Sequence, residues 1–285
     1  MLRMSQPSCV LLQLTWAGRM SWVCLNAMTP ATTTDPNTPA DLMLIVPHPD
    51  DEVFSCGGIL SKMREAGKRT VTVTLTKGAS GRTLGLCTQA ELPSLREREL
   101  RASLRVLGVD DPYIYDYADF VPDAERGLAP NGGLCDVPEA EGVEVVQTLL
   151  RRHRPRALVT FPPNGSNGHP DHVTTNAWVL RALEPIHEQP TLYYFASERP
   201  YVSDTPREGF LEADEVKRLF LPPTHYLEVG PYVENKLRAM AQHETQARSV
   251  LAFMRTNPRR LLLESFHRAR PSYPDSEGPR TVGWL

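Results

Sequence analysis

The chain has 285 residues, of which 41% are hydrophobic and 23% charged, and its formal net charge at pH 7 is -3. This length can bury a sizeable hydrophobic core, and no stretch approaches the roughly 20 consecutive apolar residues of a membrane-spanning helix. The Lys and Arg residues are scattered among acids, so the sequence lacks the basic patch typical of nucleic-acid binding. These features argue against membrane-spanning and nucleic-acid-binding functions and predict a soluble domain of enzyme size.

The five cysteines are odd in number and form no Cys-x-x-Cys pair. Such usage suits a reducing compartment better than a disulfide scaffold. We therefore expect the protein to work in the cytoplasm, with cysteines that serve as buried hydrophobic residues or incidental thiols.

Residues 1–40 are predicted to be a disordered or mis-annotated extension that precedes a single folded domain of residues 41–285. An apolar stretch around residue 9 resembles a secretory signal, but polar residues interrupt it and no small-residue cleavage site follows. The stretch Thr29–Pro39 is rich in Thr, Pro and Asn, which is typical of disordered segments. Met28 is therefore an alternative start of translation.

Strands and helices alternate from Leu42 onward. In chain order the predicted elements are a strand at 42–46, a helix at 53–66, a strand at 70–76, a helix at 95–107, a strand at 113–115, a helix at 142–153, a strand at 157–161, a helix at 171–183 and a strand at 191–195. This alternation predicts a doubly wound, mostly parallel α/β sheet of the Rossmann-like class. A long loop is expected over Asp119–Pro138, and the proline-containing tail after Glu264 is expected to be irregular.

The first polar motif, Pro-His-Pro-Asp-Asp-Glu, follows the apolar strand at 42–46. The flanking prolines favour an extended backbone at His48, which holds its imidazole at the strand end. Asp50 and Asp51 then stand where a helix begins, a position that the helix dipole favours for acids. Helix capping alone would explain the acids, but capping does not require the histidine.

The second polar motif, Gly-His-Pro-Asp-His, follows the strand at 157–161. Pro170 is a favoured first helical residue, so His169 and His172 are spaced to face one pocket. In parallel α/β sheets, binding sites collect outside the carboxyl ends of the strands. The two motifs therefore predict one shared site, whereas a single histidine would more simply be a structural residue.

Two histidines and one carboxylate would complete a three-ligand metal site with an open position, typical of catalytic zinc. The same set could form the facial triad of a non-haem iron oxygenase, although a parallel sheet is not the jelly-roll scaffold of those enzymes. A metal in such a site lowers the pKa of water from roughly 15.7 to about 7. A spare carboxylate suits a general base and a spare histidine suits an oxyanion stabiliser or acid, so the set favours hydrolysis. A silent sugar- or metal-binding protein would not need Asp50 there.

The pair of motifs is similar to that of the PIG-L/LmbE-like zinc-dependent N-acetylglucosamine deacetylases, and the resemblance extends over most of residues 42–249. It implies that the residues binding zinc, or alternatively Fe²⁺ or another divalent ion, are His48, Asp51 and His172. It also implies that Asp50 is the general base, that His169 stabilises the tetrahedral oxyanion, and that Asp171 orients the His169 imidazole. Whether Asp50 or His169 protonates the leaving amine stays open.

The resemblance also implies contacts with a small N-acetylglucosaminyl conjugate. The residues concerned are Arg82, Arg96, Asp119 and His243. A guanidinium such as that of Arg96 can bind a carboxylate through two hydrogen bonds, although a solvated helix charge is an equally simple interpretation. His243 could instead be a helix-surface histidine, and Asp119 an ordinary loop acid. One departure from the family is that Ala79 or Ser80 replaces the usual acid of its loop.

Within the family, the loop Gly81–Gly85 and the following Leu92–Arg96 look most like the bacillithiol-biosynthesis branch, which deacetylates N-acetylglucosaminyl malate. Arg82 and Arg96 would suit a dicarboxylate aglycone. A mycothiol-type glucosaminyl inositol deacetylase, a thiol-conjugate amidase and a chitooligosaccharide deacetylase would use the same metal core. The resemblance further suggests a homo-oligomer such as a hexamer.

Overall fold

The structure is a computed structural model that describes residues 38–109, 112–121, 128–203, 205–274 and 276–285, together with the backbone of two N-terminal strands. The chain divides into two units near residue 33. In the first unit, β1 (Val10–Trp16) pairs antiparallel with β2 (Arg19–Leu25). Most of the predicted lead-in at Thr29–Pro39 lies outside the described residues, as does the alternative start of translation at Met28. The division into extension and domain stays a prediction.

The second unit is built on one large sheet. Its described strands in chain order are β3 (Leu42–Val46), β4 (Thr70–Thr76), β5 (Tyr113–Tyr117), β6 (Phe120–Val121), β7 (Asn131–Gly132), β8 (Ala157–Thr160), β9 (Thr191–Phe195), β10 (His225–Glu228), β11 (Leu263–Arg270) and β12 (Arg280–Val282). β6 and β7 pair with each other, and the others form a sheet of order β12-β10-β11-β9-β8-β3-β4-β5. The five strands β9, β8, β3, β4 and β5 are parallel to one another, whereas β11 is antiparallel to both β9 and β10.

Helices cover both faces of this sheet. They are α1 (Asp51–Glu65), α2 (Leu92–Leu107), α3 (Glu139–His153), α4 (Gly165–Gly168), α5 (Pro170–Leu183), α6 (Ala213–Arg218), α7 (Val233–Met240) and α8 (Ala247–Thr256). Alternate residues of β3 belong to two hydrophobic clusters, one shared with α1, α2 and α7 and the other with α3 and α5. The predicted doubly wound α/β class is therefore confirmed. None of the described helices is long and apolar enough to cross a bilayer.

The order in which the parallel strands are added across the sheet reverses at one point. Counted in chain order, β3, β4, β5, β8 and β9 lie as 3-2-1-4-5, the arrangement of a Rossmann-type sheet. The order reverses between β3 and β8, where a crevice opens at the carboxyl ends. Both polar motifs follow these two strands.

The expectation of an irregular C-terminal tail was wrong, because β11 and β12 both join the large sheet. β11 contains polar residues at most positions, so it lacks the apolar run by which a buried strand is predicted. It forms because β9 and β10 offer backbone partners on its two sides. Part of the predicted loop at Asp119–Pro138 is also regular, as β6, β7 and a 3₁₀ turn at Gly133–Asp136.

A fully buried ion pair ties the C-terminal half to α1. Lys236 Nζ donates to Glu264 Oε1 at 2.6 Å, and the same carboxylate accepts the backbone N–H groups of Gly58 and Ile59 at 2.7 and 2.9 Å. At Gly58 the same helix packs closely on Val229, since a Cβ there would lie 2.4 Å from the Val229 Cβ. The absence of a side chain at Gly58 is thus a packing requirement.

Replacement of Gly58 by alanine should lower the free energy of unfolding by about 1–3 kcal/mol, because the added methyl group overpacks the contact with Val229. Urea unfolding would measure the change. Gly278→Ala is the matched control, since a Cβ at Gly278 meets nothing within 4 Å. Equal stability of the two variants would show that α1 moves freely away from Val229.

Candidate metal centre

The two polar motifs meet at the crevice between β3 and β8. His48 follows β3 and Asp51 opens α1, while His169 and His172 flank the first residues of α5. The structure therefore brings together residues separated by more than 120 positions in the chain. The prediction of a single shared cluster agrees with this geometry.

Three side chains converge with ligand atoms facing one another. His48 Nδ1 lies 3.3 Å from His172 Nε2 and 3.5 Å from Asp51 Oδ2, and His172 Nε2 lies 3.8 Å from Asp51 Oδ1. His48, His169 and Asp171 form a second group, whose ring nitrogens and carboxylate oxygen lie within 4.8 Å of one another. Both groups include His48, but they use different nitrogens of its ring. Nδ1 faces His172 and Asp51, and Nε2 faces Asp171.

Hydrogen bonds on the far side of each imidazole select the first group. His48 Nε2–H donates to Asp171 Oδ2 at 3.0 Å, and His172 Nδ1–H donates to the Gly165 carbonyl at 3.0 Å. These bonds leave the His48 Nδ1 and His172 Nε2 lone pairs directed at each other and at Asp51. Such a donor set fits a divalent cation, and outer hydrogen bonds of this kind are usual for metal-binding histidines.

The expected role of Asp171 needs correction. Its fully buried carboxylate contacts His48 and accepts the backbone N–H groups of Phe120 and Leu134 at 2.9 and 2.8 Å. His169 is instead held by the Asp171 backbone N–H, which donates to its Nδ1 at 3.2 Å. The Asp171 carboxylate therefore orients a proposed ligand rather than the predicted oxyanion stabiliser.

His169 is positioned as a neutral hydrogen-bond donor. Because Nδ1 accepts the Asp171 backbone N–H, the ring proton of the neutral imidazole resides on Nε2. Burial, followed by the neighbouring His172 and His48, lowers the pKa of His169 well below its ordinary value. The ring stacks on His172 with centroids 4.7 Å apart, next to the converging ligand atoms.

Asp50 lies beside the ligands in a strained backbone conformation. Its φ of 104° is in the left-handed region that residues other than glycine rarely adopt, and such strain is common at functional sites. Burial, the largest influence, raises the pKa of Asp50 to about 7 against the opposing charge of Arg96. A buried carboxyl with this pKa could exchange a proton near neutral pH.

Arg96 lines the cavity but extends little into it, and its predicted contact with a substrate carboxylate stays a prediction. It is 4% exposed, and its Nη2 lies 3.5 Å from Asp50 Oδ2 and donates to the Pro49 carbonyl. Nη1 donates to the Gly78 carbonyl at 3.0 Å, and any Cβ at Gly78 would collide with the guanidinium. Arg96 therefore holds Asp50 and joins the segments that follow β3 and β4.

His243 is likewise placed behind the site and does not line the cavity or the helix surface. Its Nε2–H donates to Glu52 Oε1 at 2.8 Å, and Glu52 Oε2 accepts the Asp50 backbone N–H at 2.9 Å. Burial opposes protonation of His243, but Glu52 outweighs it and raises the pKa. Glu52 thus holds the backbone of Asp50 in place. The sequence did not predict this role, because an acid at this position is explained equally well by the start of a helix.

A cavity of about 950 Å³ opens over the ligands. Exposed Arg82 and buried Asp119 line it, and their contacts with a substrate stay predictions. Asp119 Oδ2 accepts the Ser80 backbone N–H and hydroxyl at 2.9 and 3.0 Å. Through these bonds to Asp119, Ser80 fixes the loop in which the family's usual acid is missing. The sequence did not single out Arg207, Phe210, Phe253 or Arg260, which also line the cavity and are brought there by distant segments.

The family model described as PIG-L, GlcNAc-PI de-N-acetylase, matches residues 43–183, which include both motifs. The chain belongs to the PIG-L family. Among solved structures, the conserved protein TT1542 from Thermus thermophilus shares the fold with a TM-score of 0.56 at 23% identity, covering 84% of this chain and 99% of its own.

Two curated relatives of this PIG-L protein differ in their named substrates. A 1D-myo-inositol 2-acetamido-2-deoxy-alpha-D-glucopyranoside deacetylase of Mycobacterium sp. (strain KMS) is 29% identical over 226 residues, or 72% of this chain and 73% of the relative. A probable N-acetyl-alpha-D-glucosaminyl L-malate deacetylase 2 of Bacillus anthracis is 28% identical over 210 residues, or 72% of this chain and 80% of the relative. Both names describe deacetylation of a glucosaminyl conjugate.

Proposed function

We propose that the protein is a zinc-dependent hydrolase that removes the acetyl group from an N-acetylglucosaminyl conjugate. The observation that carries the proposal is the convergence of His48 Nδ1, His172 Nε2 and Asp51 beside the buried carboxyl of Asp50. The relatives named above support an amide of an acetylated amino sugar as the substrate.

Zinc is the proposed metal because two imidazoles and one carboxylate form a common catalytic zinc set. His48, Asp51 and His172 would hold it. When bound, the metal would polarise the acetamide carbonyl and acidify a water molecule. Fe²⁺ is the alternative ion, and metal analysis of the purified protein would separate the two.

The chain's own groups then have distinct tasks. Asp50 accepts a proton from the attacking water, and Arg96 and Glu52 hold it in place. The His169 Nε2–H donates a hydrogen bond to the developing oxyanion. Because Nδ1 of His169 already accepts a backbone hydrogen bond, this ring carries a single proton. The geometry therefore favours Asp50 as the group that returns a proton to the leaving amine.

N-acetylglucosaminyl malate is our first candidate substrate, because the loop with Arg82 resembles the bacillithiol branch and a malate-conjugate deacetylase is among the relatives. The inositol conjugate is the second candidate, on the similarity to the mycobacterial enzyme. A thiol conjugate or chitooligosaccharide would use the same centre. A cytoplasmic location and a homo-oligomer stay predictions.

Release of free amine and acetate from the malate conjugate, the inositol conjugate and N-acetylglucosamine would test the proposal. We expect release by the zinc-loaded full chain, loss of release after chelation, and recovery when zinc is returned. His172→Ala serves as the blank. Stoichiometric zinc without amine release from any of these compounds would contradict the deacetylase proposal and indicate a binding function or a different amide.

A further inference from the structure

The cavity extends beyond the metal ligands along α1. Phe54 and Ser55 line this extension and follow Asp51 by three and four residues, so they lie on the same face of the helix. One helical turn, about 5.4 Å, therefore separates this part of the cavity from the ligand level. The opposite wall comes from α8 and the turn after it, where Phe253 contacts Phe54 with ring centroids 5.0 Å apart.

Arg260 lies in this extension. Its Nη2 donates to Ser55 Oγ at 3.2 Å, and its guanidinium carbon lies 5.7 Å from the centre of the Phe253 ring. Nε is buried, and no hydrogen-bond partner for it exists among the residues that the structure describes. Arg260 as a whole is only partly buried and lines the cavity, so an anionic ligand there would meet its guanidinium.

The charges around Arg260 are not balanced. Glu264 is the nearest acid, but it already accepts Lys236 Nζ and two backbone N–H groups of α1. Within the described residues, Lys236 and Arg260 thus face a single carboxylate, and burial lowers the pKa of Arg260 against the opposing charge of Glu264. The Nε of Arg96, on the same cavity, also lacks a partner among the described residues, but Asp50 lies beside the Arg96 guanidinium.

We propose that Arg260 binds an anionic group of the aglycone and thereby makes the enzyme prefer conjugates that carry a carboxylate next to the sugar. This inference rests on the proposed deacetylase function. The acetamide and the aglycone of such conjugates occupy adjacent carbons of one sugar ring, so an acetamide at the metal centre leaves the aglycone within reach of a group one helical turn away. The Ser55 hydroxyl and the Phe253 ring fix the guanidinium for this contact.

Steady-state kinetics of Arg260→Gln on two conjugates test the inference. Loss of a charge-assisted hydrogen bond should raise KM for N-acetylglucosaminyl malate about 10- to 100-fold, while kcat/KM for the neutral inositol conjugate changes less than about 3-fold. Arg260→Lys should give a smaller rise, because it keeps the charge but loses the fork geometry. Arg259→Gln is the matched control, since Arg259 is exposed and pairs with Glu198. An equal loss on both conjugates would overturn the assignment.

A binding measurement separates this inference from the deacetylase proposal. Calorimetric titration with the intact malate conjugate should show weaker binding to Arg260→Gln than to the parent protein, with both carrying Asp50→Asn to slow turnover. Thermal melting of each variant verifies folding. Failure of the parent to release amine from any conjugate, with Arg260-dependent binding retained, would contradict only the reaction. Unchanged affinity in Arg260→Gln, or no binding of the malate conjugate to the parent, would contradict the assignment of Arg260.

Discussion

Replacement of Asp50 by asparagine should lower kcat by about 10²- to 10⁴-fold, the usual contribution of a general acid–base group. An amide has the shape of the carboxylate but cannot take a proton from water. Asparagine also tolerates the positive φ at this position, so the backbone strain should not increase. Arg96 retains an oxygen acceptor, and Glu52 still accepts the backbone N–H of residue 50.

The measurement is amine release at saturating substrate together with the zinc content of the same sample. Zinc should stay at the level of the parent protein, because the three proposed ligands are unchanged. Asp116→Asn is a suitable control, as Asp116 is an exposed acid that pairs with Lys77. A variant that keeps more than a tenth of the parent kcat would show that another group takes the proton. Loss of zinc from Asp50→Asn would instead identify Asp50 as a ligand.

The part of the site that lies close to each strand end could be predicted from the sequence. His48 and Asp51 are fixed by a short segment between β3 and α1, and His172 by the start of α5. The apolar runs before them revealed parallel strands, and the carboxyl ends of neighbouring parallel strands share one edge. The sequence could thus predict which side chains meet without any knowledge of their detailed contacts.

Partners within the site could not be predicted, because they come from distant segments of the chain. Arg96 carries the charge expected of a substrate contact, yet it is held by Asp50 and by backbone carbonyls in the segments that follow β3 and β4. His243 reaches Glu52 only because α7 packs against α1 and α2. Arg260 shows no motif, and its position follows from the turn between α8 and β11. Packing of whole elements, which local patterns do not specify, determines these contacts.

Asp171→Asn should weaken zinc binding by about 10- to 100-fold, because the Asp171 carboxylate holds the ring of the proposed ligand His48. The Asp171 carboxylate receives N–H groups from His48, Phe120 and Leu134. An asparagine turns one oxygen into a donor, so at least one buried N–H loses its acceptor at a cost of about 1–3 kcal/mol. If the amide nitrogen faces His48, that ring also loses the bond that directs its Nδ1 lone pair towards the proposed metal.

Competition with a chelator would measure zinc affinity, and urea unfolding would measure stability without metal. Asp136→Asn is a nearby control, since this exposed acid accepts only the Gly132 backbone N–H among the described contacts. The substitution leaves the backbone N–H of residue 171 in place, so the hydrogen bond to His169 Nδ1 is retained. A fall in kcat with unchanged zinc affinity would therefore mean that the carboxylate acts on His169, as the family resemblance implies. Weaker zinc binding, with kcat preserved at saturating zinc, would establish that it acts through His48.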